Sequence, residues 1–168
     1  MSGVGYSSRY KGIIKVSELK HPEKYADTED IVFRSALERD FMFQFDRNPI
    51  YIKWCSESRE LANQIVYENP LKKDAKYKMS RYYPDFLLKI KNNDQIVNVV
   101  AEVKPSGEVE AVSNYQKLKP NTKQFWRALQ NIKKWEAAMK FCSAQTKNGT
   151  ERWEFIIFTE KDLARMRN

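Results

Sequence analysis

Histidine is nearly missing from this chain: His21 is the only one in 168 residues, and it stands beside Pro22 in a polar stretch. Catalysis without imidazole must run on carboxylates, lysine and a metal ion. Cysteine is almost as scarce. Cys55 and Cys142 are isolated, with no CxxC pair and no histidine nearby. That argues against a zinc site or a disulfide framework and fits two reduced thiols in a cytosolic setting. No apolar run reaches the ~18 residues of a membrane span, so no membrane partner is expected. The first ten residues have no apolar core of the kind a secretory leader needs.

What is present describes a packed globule. Hydrophobic residues make up 42% of the chain and aromatics 13%, too many for a disordered tail. The length suits one domain with a real core and is cramped for two. Thirty Lys and Arg stand against 22 Asp and Glu, a net charge of +8. Such an excess favours a phosphate-rich partner.

Residues 1–30, with scattered glycines, Pro22 and mixed charge, read as an irregular leading arm. Phe33, Leu37, Phe41 and Phe45 recur every four residues as the stripe of a helix over 34–46, ended by Asn48-Pro49. Short strands are expected at 50–54 and 65–67, with a Lys-rich turn over 69–79. Segments 82–90 and 96–104 read as a hairpin joined by Lys91-Asn92-Asn93-Asp94. Asn121, with Gln124 three residues on, resembles a helix cap. The helix after it, to about Cys142, is expected to bury Phe125, Leu129, Ile132, Trp135 and Met139. A strand over 153–159 and a short helix capped by Thr159 and Asp162 complete the pattern. The expected architecture is a single α/β domain over 1–168, a mixed central sheet flanked by helices.

Two fragments carry chemistry: Tyr83-Pro84-Asp85-Phe86 and Ala101-Glu102-Val103-Lys104. Side chains alternate along a strand, so Glu102 and Lys104 share a face, and Asp85 opens the neighbouring strand of the hairpin. Two carboxylates and an ammonium at one sheet edge suit a hard cation such as Mg²⁺ or Mn²⁺, with Asp85 and Glu102 as ligands. Lys104 would orient or help deprotonate a water and steady phosphate charge. Glu38, at the border of the first helix's apolar face, fits a third metal ligand and equally a helix salt-bridge partner. Each fragment alone is an ordinary structural feature; the joint pattern singles the set out.

Two basic clusters are candidate DNA contacts. Lys123, Arg127 and Lys134 gather on one side of the long helix, with Trp126 at the edge to stack on a base; a solvated face with Trp126 in the core fits as well. Lys76, Lys78 and Arg81 form a basic turn just before Asp85, either a backbone clamp or a solubilising loop. Neither cluster suggests base-specific reading.

The Pro84-Asp85 and Glu102-Val103-Lys104 pair resembles the signature of the PD-(D/E)xK nuclease superfamily. Further blocks resemble the head-completion nucleases of contractile-tailed phages: Gly5-Tyr6-Ser7-Ser8-Arg9-Tyr10, Phe33-Arg34-Ser35-Ala36-Leu37-Glu38, Ile52-Lys53-Trp54-Cys55-Ser56-Glu57, Tyr82-Tyr83-Pro84-Asp85-Phe86, Ala101-Glu102-Val103-Lys104-Pro105 and Lys134-Trp135-Glu136-Ala137-Ala138. The stretch 60–78 departs from that pattern by being longer and more basic. The resemblance implies a restriction-endonuclease-like core and a catalytic set of Glu38, Asp85, Glu102 and Lys104. It also implies a metal-dependent endonuclease acting on packaged DNA in the host cytoplasm, or at the head-neck region of the virion. The rival readings are an assembly factor that binds portal or neck proteins through aromatics such as Tyr51, Trp54, Tyr82 and Tyr83, and a basic DNA-binding module without catalysis.

Overall fold

The computed structural model describes residues 11–168, so the block at residues 5–10 lies outside the described residues. The leading segment is more ordered than its composition suggests. Strand β1 (Gly12–Ile14) pairs antiparallel with β2 (Ile31–Phe33), and two short 3-10 turns, Val16–Glu18 and Pro22–Lys24, lie between them. Ile14, Leu19 and Tyr25 are buried in the main core. Helix α1 (Ala36–Arg47) holds the segment down. The buried carboxylate of Asp46 accepts the backbone N–H groups of Lys20 and His21, both at 2.8 Å. Lys24 Nζ donates to the carbonyls of Phe45, Asp46 and Asn48 at 2.7, 2.7 and 2.9 Å. Helix C-termini leave such carbonyls without partners, and the helix dipole favours a cation there. At Gly12 the backbone lies against the Phe33 ring, which a Cβ would clash with.

At its other end α1 is closed by Ser35, whose hydroxyl accepts the Glu38 N–H at 3.1 Å. Glu38 turns back to accept the Arg34 N–H at 3.0 Å, a reciprocal arrangement of the capping-box kind. Leu37, Phe41 and Phe45 are buried as the spacing predicts; Phe33 joins the same core from β2. Strand β3 (Tyr51–Ser56), helix α2 (Arg59–Gln64), β4 (Val66–Glu68) and β5 (Met79–Arg81) follow. The last two form a separate antiparallel ribbon. Then come β6 (Phe86–Asn92), β7 (Gln95–Val103), helices α3 (Ser106–Ser113) and α4 (Lys123–Asn148), β8 (Arg152–Phe158) and α5 (Glu160–Met166).

The central sheet has the order β3-β6-β7-β8. β3, β6 and β7 are antiparallel, and β8 runs parallel to β7. This is the expected mixed α/β sheet flanked by helices. The hairpin turn forms at Asn93, which takes φ 54°, a left-handed conformation that asparagine tolerates. One face of the sheet carries Phe86, Leu88, Val99 and Ala101 against Phe41, Phe45 and Leu163. The other carries Val100 against Trp135, Ala138 and Cys142 of α4, and Tyr82, from the segment between β5 and β6, joins the same cluster. No helix among the described residues is long and apolar enough to cross a membrane.

Helix α4 differs from expectation in its cap and its face. Thr122 is the cap, accepting the Phe125 N–H at 3.3 Å, while Asn121 takes the left-handed turn before it at φ 61°. The buried stripe is Ala128, Asn131, Trp135, Ala138 and Cys142, and Met139 is 49% exposed. Small residues let the helix lie close on the sheet, so the larger Leu129 and Ile132 flank the contact.

Because Asp46 satisfies two backbone donors of the leading segment, Asp46→Ala should cost ~2–4 kcal/mol in chemical denaturation, the loss of charge-assisted bonds to part-buried groups. A change in the range of an exposed substitution, within ~0.5 kcal/mol, would contradict this anchoring.

Candidate active site

The hairpin register builds the site. Phe86 pairs with Ala101, so Asp85 enters one step beyond, level with Glu102. Asp85 Oδ2 accepts the backbone N–H of Val103 at 2.7 Å, which pins the carboxylate across the end of the ladder. Glu102 is buried, 3% exposed, yet both its oxygens are engaged. Oε2 accepts the Tyr82 hydroxyl at 2.6 Å, and Oε1 lies 3.1 Å from Lys104 Nζ. The Lys104 backbone N–H donates to Phe158 O at 2.9 Å, tying the strand end to β8.

The electrostatics are those of carboxylates crowded together. Desolvation and the charge of Glu102 push the Asp85 pKa well above the usual carboxylate range; Lys104 pulls the other way and Glu38 adds to the rise. Burial alone would lower the Lys104 pKa, but Glu102 and Asp85 outweigh it and the net shift is upward. Lys104 is therefore an ammonium at neutral pH, a donor and a positive charge rather than a base.

Glu38, Asp85 and Lys104 line one open cleft of about 520 Å³, together with Lys11, Arg34 and Glu108. Glu102 does not line the cleft; it is buried behind Lys104, so the structure brings it to the other three without exposing it there. Among the described residues Glu38 forms no ion pair; besides facing the cleft it serves the start of α1, accepting the Arg34 N–H and the Ser35 hydroxyl. Arg34 and Lys11 at the cleft wall were not foreseen. Arg34 is ion-paired with Glu57.

The basic residues separate. Lys134 does not sit with Lys123 and Arg127 on an outer face. It is half-buried, its Nζ 5.8 Å from the Tyr67 ring centre and 5.7 Å from that of Tyr82. Burial pushes its pKa down while Glu102 pulls it up, which places it beside the carboxylates. Lys123 and Arg127 are exposed and line a neighbouring cavity. None of Lys76, Lys78 and Arg81 lines the carboxylate cleft, and Lys78 is ion-paired with Glu68. Trp126 is half-buried, edge-on to Phe125. Sequence reasoning missed Tyr82 as the partner of Glu102; nothing in its local pattern signals a bond twenty residues away.

Among the described residues no group of three or more His, Cys, Asp or Glu is arranged to hold a metal ion. The chemistry of the donor set nevertheless fits a hard divalent cation. Asp85 and Glu102 offer carboxylate oxygens only, their mutual repulsion is incompletely relieved by Lys104, and the cleft leaves room for waters.

A four-stranded mixed sheet flanked by helices, with an aspartate at the head of one hairpin strand and Glu-x-Lys at the end of the next, is the core of a restriction-endonuclease-like nuclease. The family comparison agrees: the family described as TnsA-like endonuclease N terminal matches residues 48–160, about two-thirds of the chain. The protein belongs to this endonuclease family, and its substrate is DNA. The match takes in Asp85, Glu102 and Lys104 and leaves out Glu38. No curated protein matches the chain.

A carboxyl whose folded pKa is raised binds protons more tightly in the folded state than in the unfolded one, so stability falls as pH rises above the unfolded value of ~3.9. Asp85→Asn removes that cost. In metal-free buffer at neutral pH its Tm should exceed that of the wild type. Mn²⁺ should raise the wild-type Tm by mass action and shift the variant far less. A less stable variant, or equal shifts with Mn²⁺, would remove Asp85 from a cation site.

Proposed function

We propose that the protein is a divalent-metal-dependent DNA endonuclease of weak sequence specificity that acts when a phage head is completed after packaging. The observation that carries the catalytic reading is that Asp85 and the ammonium of Lys104 line an open cleft, with the buried Glu102 directly behind Lys104. The phage role is supported by the blocks at residues 33–38, 52–57, 82–86, 101–105 and 134–138, which resemble the head-completion nucleases.

In this reading Asp85 and Glu102 hold the cation, Mg²⁺ or Mn²⁺, and Glu38 reaches it from α1. When bound, the ion supplies a lowered pKa for an attacking water and positive charge for the phosphate. Lys104, held as an ammonium, orients that water and stabilises the charge growing on the phosphate oxygens. One phosphorus–oxygen bond forms to the water and one ester bond breaks, leaving a phosphate end and a hydroxyl end. Tyr82 fixes one oxygen of Glu102, so the carboxylate does not need to reorganise as charge moves. Lys123, Arg127 and Lys134 supply positive potential on the α4 side, and Lys76, Lys78 and Arg81 lie outside the cleft as peripheral backbone contacts. A role confined to binding portal or neck proteins has less support, because Tyr51, Trp54 and Tyr82 are core residues and only Tyr83 is exposed.

The test is purified protein incubated with linear, circular and branched DNA, with and without Mg²⁺ or Mn²⁺. Lys104→Ala should stay folded and keep most of its metal affinity while cleavage falls ~10²–10³-fold, the usual loss for one preorganised electrostatic group. Phage heads assembled with that variant should recruit it and fail to become infectious. Undiminished cleavage by Lys104→Ala would contradict the assigned role. Normal particles carrying a cleavage-dead protein would shift the function to assembly.

A further inference from the structure

A second concavity, about 560 Å³, lies between α3 and α4. Gly107 and Ala111 on one wall and Ala128 on the other keep it open, and its surface is mostly apolar. Two features mark it as more than a packing gap. Lys123 and Arg127 stand exposed at its rim, and neither forms an ion pair among the described residues. Asn131 lines it from the buried side; the residue is only 5% exposed. Its side-chain amide makes no hydrogen bond among the described residues and remains accessible from the cavity. It is not among the buried polar atoms left without a partner, which are the indole nitrogens of Trp54 and Trp135; it stays open to the cavity and can pair with a ligand group there.

The cavity is not isolated from the chemistry. Glu108 lines both this cavity and the cleft of Glu38, Asp85 and Lys104. A strand whose scissile phosphate lies at Lys104 therefore has an adjoining recess within reach of its neighbouring nucleotide. Walls of Gly107, Ala111 and Ala128 leave room for the faces of a base, the Asn131 amide suits its edge, and the cations at the mouth suit its phosphate. The volume falls within the ~300–1,000 Å³ common for small-ligand sites.

We propose that the α3–α4 cavity receives a single unstacked nucleotide of the DNA strand beside the cleavage site, its phosphate between Lys123 and Arg127 and its base against Asn131. The proposal rests on the nuclease reading of the neighbouring cleft. It makes the enzyme selective for DNA in which one nucleotide leaves the stack cheaply, as at a gap, branch or mismatch, because unstacking a paired base costs a few kcal/mol.

Gly107 offers a clean way to close the cavity. A Cβ there would meet nothing within 4 Å, and leucine is a better helix former than glycine. Gly107→Leu should therefore fold with a Tm no lower than the wild type. The experiment uses the full chain, in EDTA, with short gapped duplexes carrying one 2-aminopurine at successive positions near the gap. Unstacking this base raises its fluorescence. Wild-type protein should give a several-fold rise at one position. Gly107→Leu should abolish the rise and weaken binding, and Asn131→Ala should reduce it. An equal rise in Gly107→Leu, or no rise at any position with the DNA bound, would overturn the proposal. Cleavage of the same duplexes in Mg²⁺ is scored separately. Wild-type cleavage without a fluorescence rise sinks the cavity proposal alone, whereas no cleavage of any duplex sinks the nuclease reading beneath it.

Discussion

Asp85 and Glu102 meet because β6 and β7 pair in a register that ends at Phe86 and Ala101. One step beyond that pair the ladder gives way to a side chain, and Asp85 takes the Val103 N–H that a backbone carbonyl would otherwise accept. Two acidic groups are thereby held together at the end of a hydrophobic sheet. A one-residue slip would turn Glu102 and Lys104 to the opposite face. The surroundings resist such a slip: the buried Val99 and Ala101 face the α1 core, and Val100 faces α4. The site is thus specified by the same alternation that specifies the core.

Crowding carboxylates in this way costs stability, and the fold offsets it in several places. Lys104 supplies one positive charge and Tyr82 a hydroxyl. Lys134 brings a second ammonium to the same neighbourhood, with no oxygen partner among the described residues. The residual repulsion is evident in the upward shift of Asp85. Strain of this kind is found where proteins bind ions or reacting groups, and it gives a physical reason for a cation to be held there.

Features built from neighbours in sequence could be read directly. The hairpin, the shared face of Glu102 and Lys104, and the buried stripe Leu37, Phe41 and Phe45 of α1 all follow from periods of two or four. Features that depend on how close two elements come could not. In α4 the sheet-facing side is chosen by small residues such as Ala128 and Ala138, whereas hydrophobic size pointed to Leu129 and Met139. That rotation moves Lys134 from an outer basic face to the neighbourhood of Glu102 and Asp85. The ordered path of residues 11–30 was likewise hidden, because it is fixed by Asp46 and Lys24 bonding to backbone atoms rather than by any apolar period. Helix α3, with no buried residue, leaves no stripe to read, and Pro105 and Gly107 suggested only the end of a strand.

The proposed place of DNA cleavage is the cleft lined by Asp85 and Lys104, with Glu102 buried beside them. Crystals of the protein grown with DNA and Mn²⁺ test it most directly, through the anomalous scattering of manganese. An anomalous peak coordinated by the carboxylates of Asp85 and Glu102 is expected, with a backbone phosphate within reach of Lys104 Nζ. A fully occupied DNA complex with no peak at these carboxylates, or with the nearest phosphate on another face of the molecule, would contradict it.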